Sequence, residues 1–259
     1  MPLTLAIRDV VPITPRARIV TLNLNGAAFP YRAGQSILIG APGSTDRRAY
    51  SLTETSSSAH ALGQLELLIG TNAEGRTWIP LVPGEKVVVD GPVGQLTCPD
   101  DAAERRFVFV AGGTGIAPLR AMLRESLAKG RPEIYVLYSA RTADDFAYAE
   151  ELEQLARSGR ISLSLRVTRG SSGPAWSGER GRFDPAWLKS AIGSAAARCF
   201  ICGPQAMVHE AQRVLANAGV PPRLVHVEEW CRLRAEVADT PSMTPALVTA
   251  ARYGTPASL

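Results

Sequence analysis

The run Arg-Ala-Tyr-Ser-Leu, residues 48–52, places a cation, an aromatic ring and a hydroxyl close together in a short β-like segment. Side chains two positions apart in a strand share a face, so Arg48 and Tyr50 project together, and Ser51 projects opposite unless the strand ends there. A guanidinium fork suits a phosphate, and an aromatic face suits a flat ring. A ligand with both features would use both residues. A half-buried edge strand explains the same pattern, and on these residues alone we favour that explanation.

A glycine-rich turn, "AGGTGIAPLR" at residues 111–120, follows an apolar run and opens a helical pattern. At such a turn, backbone N–H groups and a helix N-terminus face a phosphate, and Gly112, Gly113 and Gly115 permit a close ligand approach. Pro118 stands where the third glycine of G-x-G-x-x-G would stand, and the lysine of a P-loop is missing. A nucleotide site and a plain tight turn therefore remain equally open.

A second turn of this kind lies in "CFICGPQAM", residues 199–207. Cys199 and Cys202 have the C-x-x-C spacing of redox and zinc motifs, but positions three apart in a strand face opposite sides, so the thiols diverge. We expect Cys199 to be a small core residue. We expect Cys202, at the carboxyl end of its strand, to lie at the mouth of a ligand crevice.

The elements that must position these residues differ between the two parts of the chain. Short apolar or alternating runs separated by turn residues fill the first hundred positions without a helix, which predicts an antiparallel barrel or sandwich. After the polar stretch "CPDDAAERR", five strand-like runs alternate with helical patterns that include "IAPLRAMLRESLAK", "ADDFAYAEELEQLARSG" and "DPAWLKSAI". Repeated β-α-β units predict a doubly wound parallel sheet with ligands at the carboxyl ends of its strands.

Composition excludes several classes of protein. The chain has 259 residues, a net charge of +4 and 46% hydrophobic residues, enough for a substantial core. Its basic residues are scattered and no apolar run is long enough to span a bilayer, so we expect neither nucleic-acid nor membrane partners. Four cysteines are too few for a disulfide scaffold in a chain of this length, and the N-terminus lacks the features of a signal peptide. We expect a reduced, cytoplasmic location.

Taken in order, "RAYSL", "AGGTGIAP" and "CGPQAM" resemble the ferredoxin–NADP reductase family of flavoproteins. The segments "PYRAGQ", "EGRTW", "PGEKVVVDGPVG" and "HVEEW" agree with this resemblance, which covers residues 1 to about 230. It implies an antiparallel β-barrel flavin domain at 1–100, then an α/β doubly wound parallel-sheet NAD(P) domain at 101–230. The tail at 231–259 has no assigned role.

The resemblance also implies roles for individual residues. Arg48 would hold the flavin phosphate, Tyr50 would lie against the isoalloxazine ring, and Ser51 would hydrogen-bond near its N5 atom. The pyrophosphate of the nicotinamide cofactor would meet Gly113, Thr114 and Gly115, and hydride would pass from nicotinamide to flavin. The residues implied to bind the flavin are Arg48, Ala49, Tyr50, Ser51, Gly75, Arg76 and Thr77.

The resemblance implies that Cys202, Gly203 and Pro204 line the nicotinamide pocket. It also implies that Pro118, which follows the glycine-rich turn, belongs to the cofactor site. Glu228 or Glu229, together with Trp230, would lie near the other face of the flavin; an apolar plug explains Trp230 equally well. Ser51, Cys202 and Glu228 are the candidate catalytic residues. Because positioning dominates hydride transfer, we expect no acid–base dyad, and the three histidines form none: His60 is expected in a loop, His209 on a helix and His226 on a strand.

Cofactor choice depends on the residues after the second and third parallel strands. Arginine there favours a 2′-phosphate, and an acidic residue favours a 2′-hydroxyl. Arg141 and Arg169 follow these strands, so NADPH is favoured over NADH; a helix cap, or an ion pair of Arg141 with Asp144 or Asp145, is the competing explanation. FAD is favoured over FMN because the chain lacks the C-x4-C-x2-C run of a plant-type iron–sulfur domain.

Three functions remain open for such a reductase. Electrons would pass to a separate redox protein, either a ferredoxin or an oxygenase component. They would otherwise pass to a small acceptor such as a quinone, a ferric chelate or free flavin. The third alternative is an electron-transfer subunit that is inactive outside a larger complex. A short-chain dehydrogenase is disfavoured because no Y-x-x-x-K pair occurs.

Overall fold

Alternating apolar residues in the first hundred positions build an antiparallel sheet in the computed structural model, which describes residues 2–72, 74–100, 102–130, 133–169, 176–181, 183–193 and 196–229. Its strands are β1 (Leu3–Thr14), β2 (Ala17–Asn23), β3 (Ser36–Gly40), β4 (Arg48–Ser51), β5 (Gln64–Gly70) and β6 (Lys86–Val93). They lie in the order β4-β3-β6-β1-β2-β5. In β5, Leu65, Leu67 and Ile69 are buried at the two-residue spacing of a strand and fill the interior.

The two edge strands of this sheet meet just beyond β4. Leu52 bridges to Leu67 of β5, and the N–H of Thr53 donates to the Glu66 carbonyl at 3.1 Å. The sheet therefore closes into the barrel that the sequence suggested. The expectation of no helix in this part is wrong, because α1 (Ser56–Leu62) lies between β4 and β5 and carries His60.

The second half of the chain forms a parallel sheet with helices on both faces. Its strands are β7 (Arg106–Gly112), β8 (Glu133–Ala140), β9 (Ser162–Val167), β10 (Glu179–Arg180), β11 (Ala197–Gly203) and β12 (Val225–Glu229). The spatial order is β10-β9-β8-β7-β11-β12. Strand order reverses beside β7, and this switch point is where open α/β sheets bind their ligands.

Successive residues of β7 face two different apolar layers. Phe107 and Phe109 pack in the layer that contains α2 (Ile116–Ala128) and α3 (Ala149–Arg157). Val108 and Val110 pack in the layer that contains α4 (Pro185–Ile192) and α5 (Gln205–Asn217). The first layer also includes Leu68 of the barrel, so the barrel packs against the α2 side of the sheet.

The start of α3 differs from the sequence prediction, and β10 is a short strand that the prediction did not include. The helix expected from Ala143 begins only at Ala149, because Tyr148 has a left-handed backbone with φ of +59°. Thr142 and Asp145 instead cap a single 3₁₀ turn. Helix α4 is as predicted, with the Asp184 carboxylate accepting from the first helical N–H groups.

Trp230 and the tail at 231–259 lie outside the described residues. Within the described part of the chain, no helix has the length and apolar character needed to cross a membrane.

Candidate active site

The carboxyl ends of the parallel strands and one side of the barrel enclose a cavity of about 1080 Å³. Residues at the ends of β7, β8, β9 and β11 line it together with residues of β4 and the loop after β5. The predicted site residues that line it are Arg48, Ala49, Tyr50, Ser51, Arg76, Thr77, Gly113, Thr114, Arg141, Arg169, Pro204 and Glu228. Motifs far apart in the sequence thus meet at one place.

The barrel wall of the cavity is formed by the end of β4. The Arg48 guanidinium lies 4.5 Å from the centroid of the Trp78 ring, and it has no carboxylate partner among the described residues. The Tyr50 ring is half-buried, and the Ser36 hydroxyl donates to the Ser51 hydroxyl at 3.2 Å. Because β4 ends at Ser51, this side chain also reaches the cavity, contrary to the alternation of a continuing strand.

The "EGRTW" segment forms a tight turn beside Arg48. The Asn72 side-chain oxygen accepts from the N–H groups of Glu74 and Arg76 at 3.1 and 2.8 Å. Gly75 has a φ of +73°, a conformation that L side chains rarely adopt. The Thr77 hydroxyl donates to the Ile79 carbonyl, so within this structure it stabilises the turn.

The opposite wall is made by two turns that pack directly on each other. A Cβ atom at Gly112 would approach the Pro204 Cδ atom to 2.7 Å and the Met207 sulfur to 2.8 Å. A Cβ atom at Gly115 would come closer than 3.0 Å to the Cys202 carbonyl oxygen. Glycine at both positions therefore lets the turn after β7 lie against the turn after β11.

Three buried polar oxygen atoms at the cavity wall have no hydrogen-bond partner among the described residues: Thr71 Oγ1, Asp145 Oδ1 and Glu228 Oε2. Burying such an atom without a partner costs about 1–3 kcal/mol. The other Asp145 oxygen accepts from the Arg16 guanidinium at 2.6 Å, an ion pair that joins the barrel to the turn after β8. Unsatisfied atoms at a cavity wall are positions where a bound ligand supplies the missing hydrogen bond.

Arg141 and Arg169 lie side by side beyond β8 and β9. The Arg169 N–H donates to the Arg141 carbonyl at 3.0 Å, and both side chains are exposed at the cavity. The competing explanation was that Arg141 caps a helix or forms an ion pair with Asp144 or Asp145, and neither is found among the described residues. Asp145 instead pairs with Arg16, and Thr142 caps the turn. Neither arginine has a carboxylate partner within the described ranges.

The structure corrects the expected position of Cys202. Its side chain is 1% exposed and packs in the apolar layer of α2, so the thiol lies behind the cavity wall instead of at the mouth. The remaining predicted residues that do not line the cavity are Gly75, Gly115, Pro118 and Gly203. Glu229 ends β12, and its side chain is not among those described.

The cavity residues that sequence reasoning did not assign to the site include Arg16, Thr71, Trp78 and Asp145. Trp78 had a signal, because it belongs to the "EGRTW" segment. The spacing of Thr142 and Asp145 is that of a capping box, which indicated a turn but not a pairing with Arg16. That contact spans 129 residues of sequence and has no local pattern.

Comparisons with known proteins agree with this geometry. Residues 109–213 match the family model described as an oxidoreductase NAD-binding domain. The chain is 34% identical over 233 residues to ferredoxin–NADP reductase B of Sorangium cellulosum, covering 85% of this chain and 94% of that protein.

The chain belongs to the ferredoxin–NADP reductase family.

Other relatives include the reductase subunit of an aromatic O-demethylase from Amycolatopsis, 28% identical over 88% of this chain and 69% of that protein. The crystal structure of an Amycolatopsis cytochrome P450 reductase has a TM-score of 0.78 and 26% identity, over 88% of this chain and 69% of that one. As a member of the family, the protein is an NAD(P)H-dependent flavin oxidoreductase with a flavin and a nicotinamide cofactor.

The cavity of this reductase fits those cofactors. Its volume slightly exceeds the roughly 300–1,000 Å³ that suits one drug-sized ligand. Arg48 offers a cation without a carboxylate partner among the described residues, and Tyr50 offers an aromatic ring. The unsatisfied oxygens of Thr71, Asp145 and Glu228 offer hydrogen bonds to polar groups of a ligand.

Glu228 gives the reductase a pH-dependent stability. Burial raises the pKa of its carboxyl group above the ordinary 4.5, so the folded protein holds this proton more tightly than the unfolded chain. The contribution of Glu228 to the free energy of unfolding therefore falls as pH rises above 4.5, until the folded protein has also lost the proton. Glu228→Gln removes the charge, so we expect its melting temperature to exceed that of the wild type at pH 8. The expected difference is about 2–4 °C per kcal/mol regained.

Thermal melts of both proteins between about pH 4 and pH 8 measure this effect, because the range starts near the ordinary pKa of a glutamate carboxyl group and extends above it. The gap between variant and wild type should widen as pH rises. Glu85→Gln, at an exposed turn residue outside the cavity, is the control and should show no widening. A gap that is the same at every pH would contradict a buried, uncompensated charge at Glu228.

Proposed function

We propose that this reductase oxidises NADPH, holds FAD, and passes single electrons to a separate redox protein, either a ferredoxin or an oxygenase component. The observation that carries the proposal is the single cavity that brings the end of β4 to the glycine-rich turn after β7. A flavin held there would supply the hydride-accepting and one-electron-donating chemistry, and the residues that line the cavity would position it against the nicotinamide. The relatives named as a ferredoxin–NADP reductase and as an oxygenase reductase component support the choice of acceptor.

Each of the two domains is proposed to hold one of the two cofactors. Residues 1–100 are proposed to hold the flavin, with Arg48 at its phosphate, Tyr50 against the ring system and Ser51 near N5. Residues 101–230 are proposed to hold the nicotinamide cofactor, with Gly113 and Thr114 at its pyrophosphate. Binding and orientation by these side chains is the contribution of the protein, because the cofactors supply the bond chemistry.

FAD is the proposed flavin because the cavity wall does not end at Arg48. It continues through Trp78 and Thr77 to Arg76, which gives a nucleotide beyond the flavin phosphate both an aromatic ring and a second cation. Chromatography of the flavin released by denaturation distinguishes the two cofactors. Release of FMN alone would overturn this part of the proposal.

NADPH is the proposed donor because Arg141 and Arg169 present two cations at the cavity. We expect Arg141→Ala to raise the KM for NADPH about tenfold, the effect of losing roughly 1.4 kcal/mol of charge-assisted binding, and to leave the KM for NADH nearly unchanged. Steady-state kinetics with both donors measure the ratio. Arg213→Ala, at an exposed position of α5 outside the cavity, should change neither constant. Equal effects on the two donors would remove Arg141 from cofactor choice.

The deciding experiment is an absorbance spectrum of the purified protein, followed by anaerobic titration with NADPH and with NADH. A flavin spectrum that is bleached faster by NADPH supports the proposal. Addition of a ferredoxin, with cytochrome c as the final acceptor, then tests the protein partner. Fast turnover with quinones or ferric chelates that ferredoxin does not increase would indicate a small-acceptor reductase. A bleached flavin that passes electrons to no added acceptor would indicate a subunit of a larger complex.

A further inference from the structure

A cluster of ion pairs, buried at Arg120 and Glu54 and partly exposed at its other members, joins the barrel to the second domain outside the cavity. It consists of Glu54, Glu66, Arg120, Arg124 and Glu151, and we refer to it as the interdomain ion cluster. Arg120, on α2, is 5% exposed. Its Nη1 donates to Glu54 at 2.9 Å and to Glu66 at 3.1 Å, and its Nε donates to Glu151 at 2.8 Å. One guanidinium therefore binds two carboxylates of the barrel and one of the second domain.

Arg124 repeats these contacts, and Tyr148 adds a further one. Arg124 donates to both Glu54 oxygens at 2.9 and 2.8 Å and to Glu151 at 2.8 Å, which repeats the bridge one helical turn later. The Tyr148 hydroxyl donates to Glu66 at 3.1 Å, and the Tyr148 ring lies 4.1 Å from the Arg120 guanidinium. Tyr148 has a left-handed backbone and directly precedes α3, so the helix starts only after the residue that makes this contact.

The position of the cluster along the chain links it to the cavity. Glu54 follows Ser51 by three residues, and Arg120 follows Thr114 by six. Tyr148 directly follows Ala147, which also lines the cavity. Each wall of the cavity is therefore connected to the cluster by a few residues of barrel, helix or turn.

Removing one partner of a buried ion pair is strongly destabilising, because it leaves an uncompensated charge. Replacing a buried ion pair by apolar residues is often neutral for stability, because desolvation offsets the attraction between the charges. Domains that share only a modest interface move relative to each other by default. A multidentate arginine that is hydrogen-bonded to both domains restricts that movement to one arrangement.

We propose that Arg120 is a positioning residue for hydride transfer: it fixes the distance between the Tyr50–Ser51 end of β4 and the glycine-rich turn at Gly113–Gly115. This inference rests on the proposed approach of nicotinamide to flavin across the cavity. Arg120 does not line the cavity, so it acts through the placement of the two walls. A displacement of about 1 Å between reacting groups costs on the order of 10²-fold in rate.

The test replaces Arg120 by lysine, which keeps the charge but has no fork to bridge Glu54, Glu66 and Glu151 together. We expect the limiting rate of flavin reduction by NADPH to fall roughly 10- to 100-fold in anaerobic stopped-flow experiments. Flavin content and the NADPH concentration for half-maximal rate should stay within about twofold of the wild type, because every cavity residue is retained. NADPH deuterated at C4 should show a larger isotope effect in the variant.

The matched control is Arg106→Lys. Arg106 is also multidentate and partly buried, but its contacts with Glu133 and the Ile192 carbonyl lie within the second domain. It should reduce flavin at the wild-type limiting rate. Glu54→Gln, which weakens the barrel side of the cluster without changing either arginine, should reproduce the Arg120→Lys loss.

A wild-type limiting rate in both Arg120→Lys and Glu54→Gln would overturn the inference. So would a loss of rate that accompanies flavin loss or unfolding in both variants, since the cluster would then be structural only. A different result is a wild-type protein whose flavin absorbance is bleached by neither NADPH nor NADH. It would overturn the proposed function itself, and this inference with it.

Discussion

Arg48→Ala should weaken flavin binding about 10- to 150-fold. In the proposed function this side chain holds the flavin phosphate, and charge-assisted contacts of that kind contribute roughly 1.5–3 kcal/mol, which converts to that range of affinity. Arg48 lines the cavity and has no carboxylate partner among the described residues, so no ion pair within that part of the chain competes with a ligand for its charge. Its guanidinium is held over the Trp78 ring at 4.5 Å, which orients it before the ligand arrives.

The measurement is flavin occupancy after purification, followed by titration of FAD into the flavin-free protein. The control is Arg8→Ala, an exposed barrel arginine paired with Asp9 outside the cavity, which should keep full occupancy. The fold of the variant should be unchanged, because Arg48 is exposed and forms no ion pair within the described part of the chain. Equal FAD affinity in Arg48→Ala and wild type would show that the phosphate is bound elsewhere.

Gly115→Ala should weaken NADPH binding strongly and leave the flavin in place. A methyl group there would overlap the Cys202 carbonyl oxygen, which is backbone and cannot rotate away. Overpacking of this kind costs about 1–3 kcal/mol, and the strain would separate the turn after β7 from the turn after β11. Since residues of both turns line the part of the cavity that is proposed to hold the nicotinamide cofactor, we expect NADPH affinity to fall about 10- to 100-fold.

Gly130→Ala is the matched control at the other end of α2. Its φ is +68° and no atom lies within 4 Å of the added Cβ, so it should cost stability without touching the cavity. The NADPH concentration dependence of flavin reduction separates the two variants. Comparable NADPH affinity in Gly115→Ala and Gly130→Ala would mean that the packing of the two turns does not shape the site.

Much of the fold follows from local pattern. Runs such as the alternating apolar residues of β5 and the capped start of α4 at Asp184 predict their own conformation. Helix α1 was missed because its serine-rich sequence lacks an apolar stripe, although Thr55 caps its start and Gly63 ends it. Tyr148 was expected inside a helix, but its contacts with Glu66 and Arg120 favour a left-handed backbone.

The candidate site, like the fold, was predicted where its residues lie in one motif and missed where they lie far apart in the sequence. Arg48, Tyr50 and Thr114 were identified because motifs of adjacent residues carry them and line the cavity as a group. The pairs Arg16–Asp145 and Arg120–Glu54 join residues 129 and 66 positions apart, and only the folded arrangement of the two domains brings them together. Cys202 was placed at the mouth from its strand position, whereas packing against α2 buries it.

The two glycine turns that interlock at Gly112 and Gly203 have a consequence for protein engineering. An added Cβ at Gly203 would lie 3.0 Å from the Gly112 backbone, so the backbone path of each turn limits the path that the other can take. Grafting the turn after β7 from a homologue, for example to exchange nicotinamide cofactors, should fail unless the turn after β11 is transplanted from the same donor. In such a chimera the two turns must come from the same protein, and neither sequence motif can be exchanged alone.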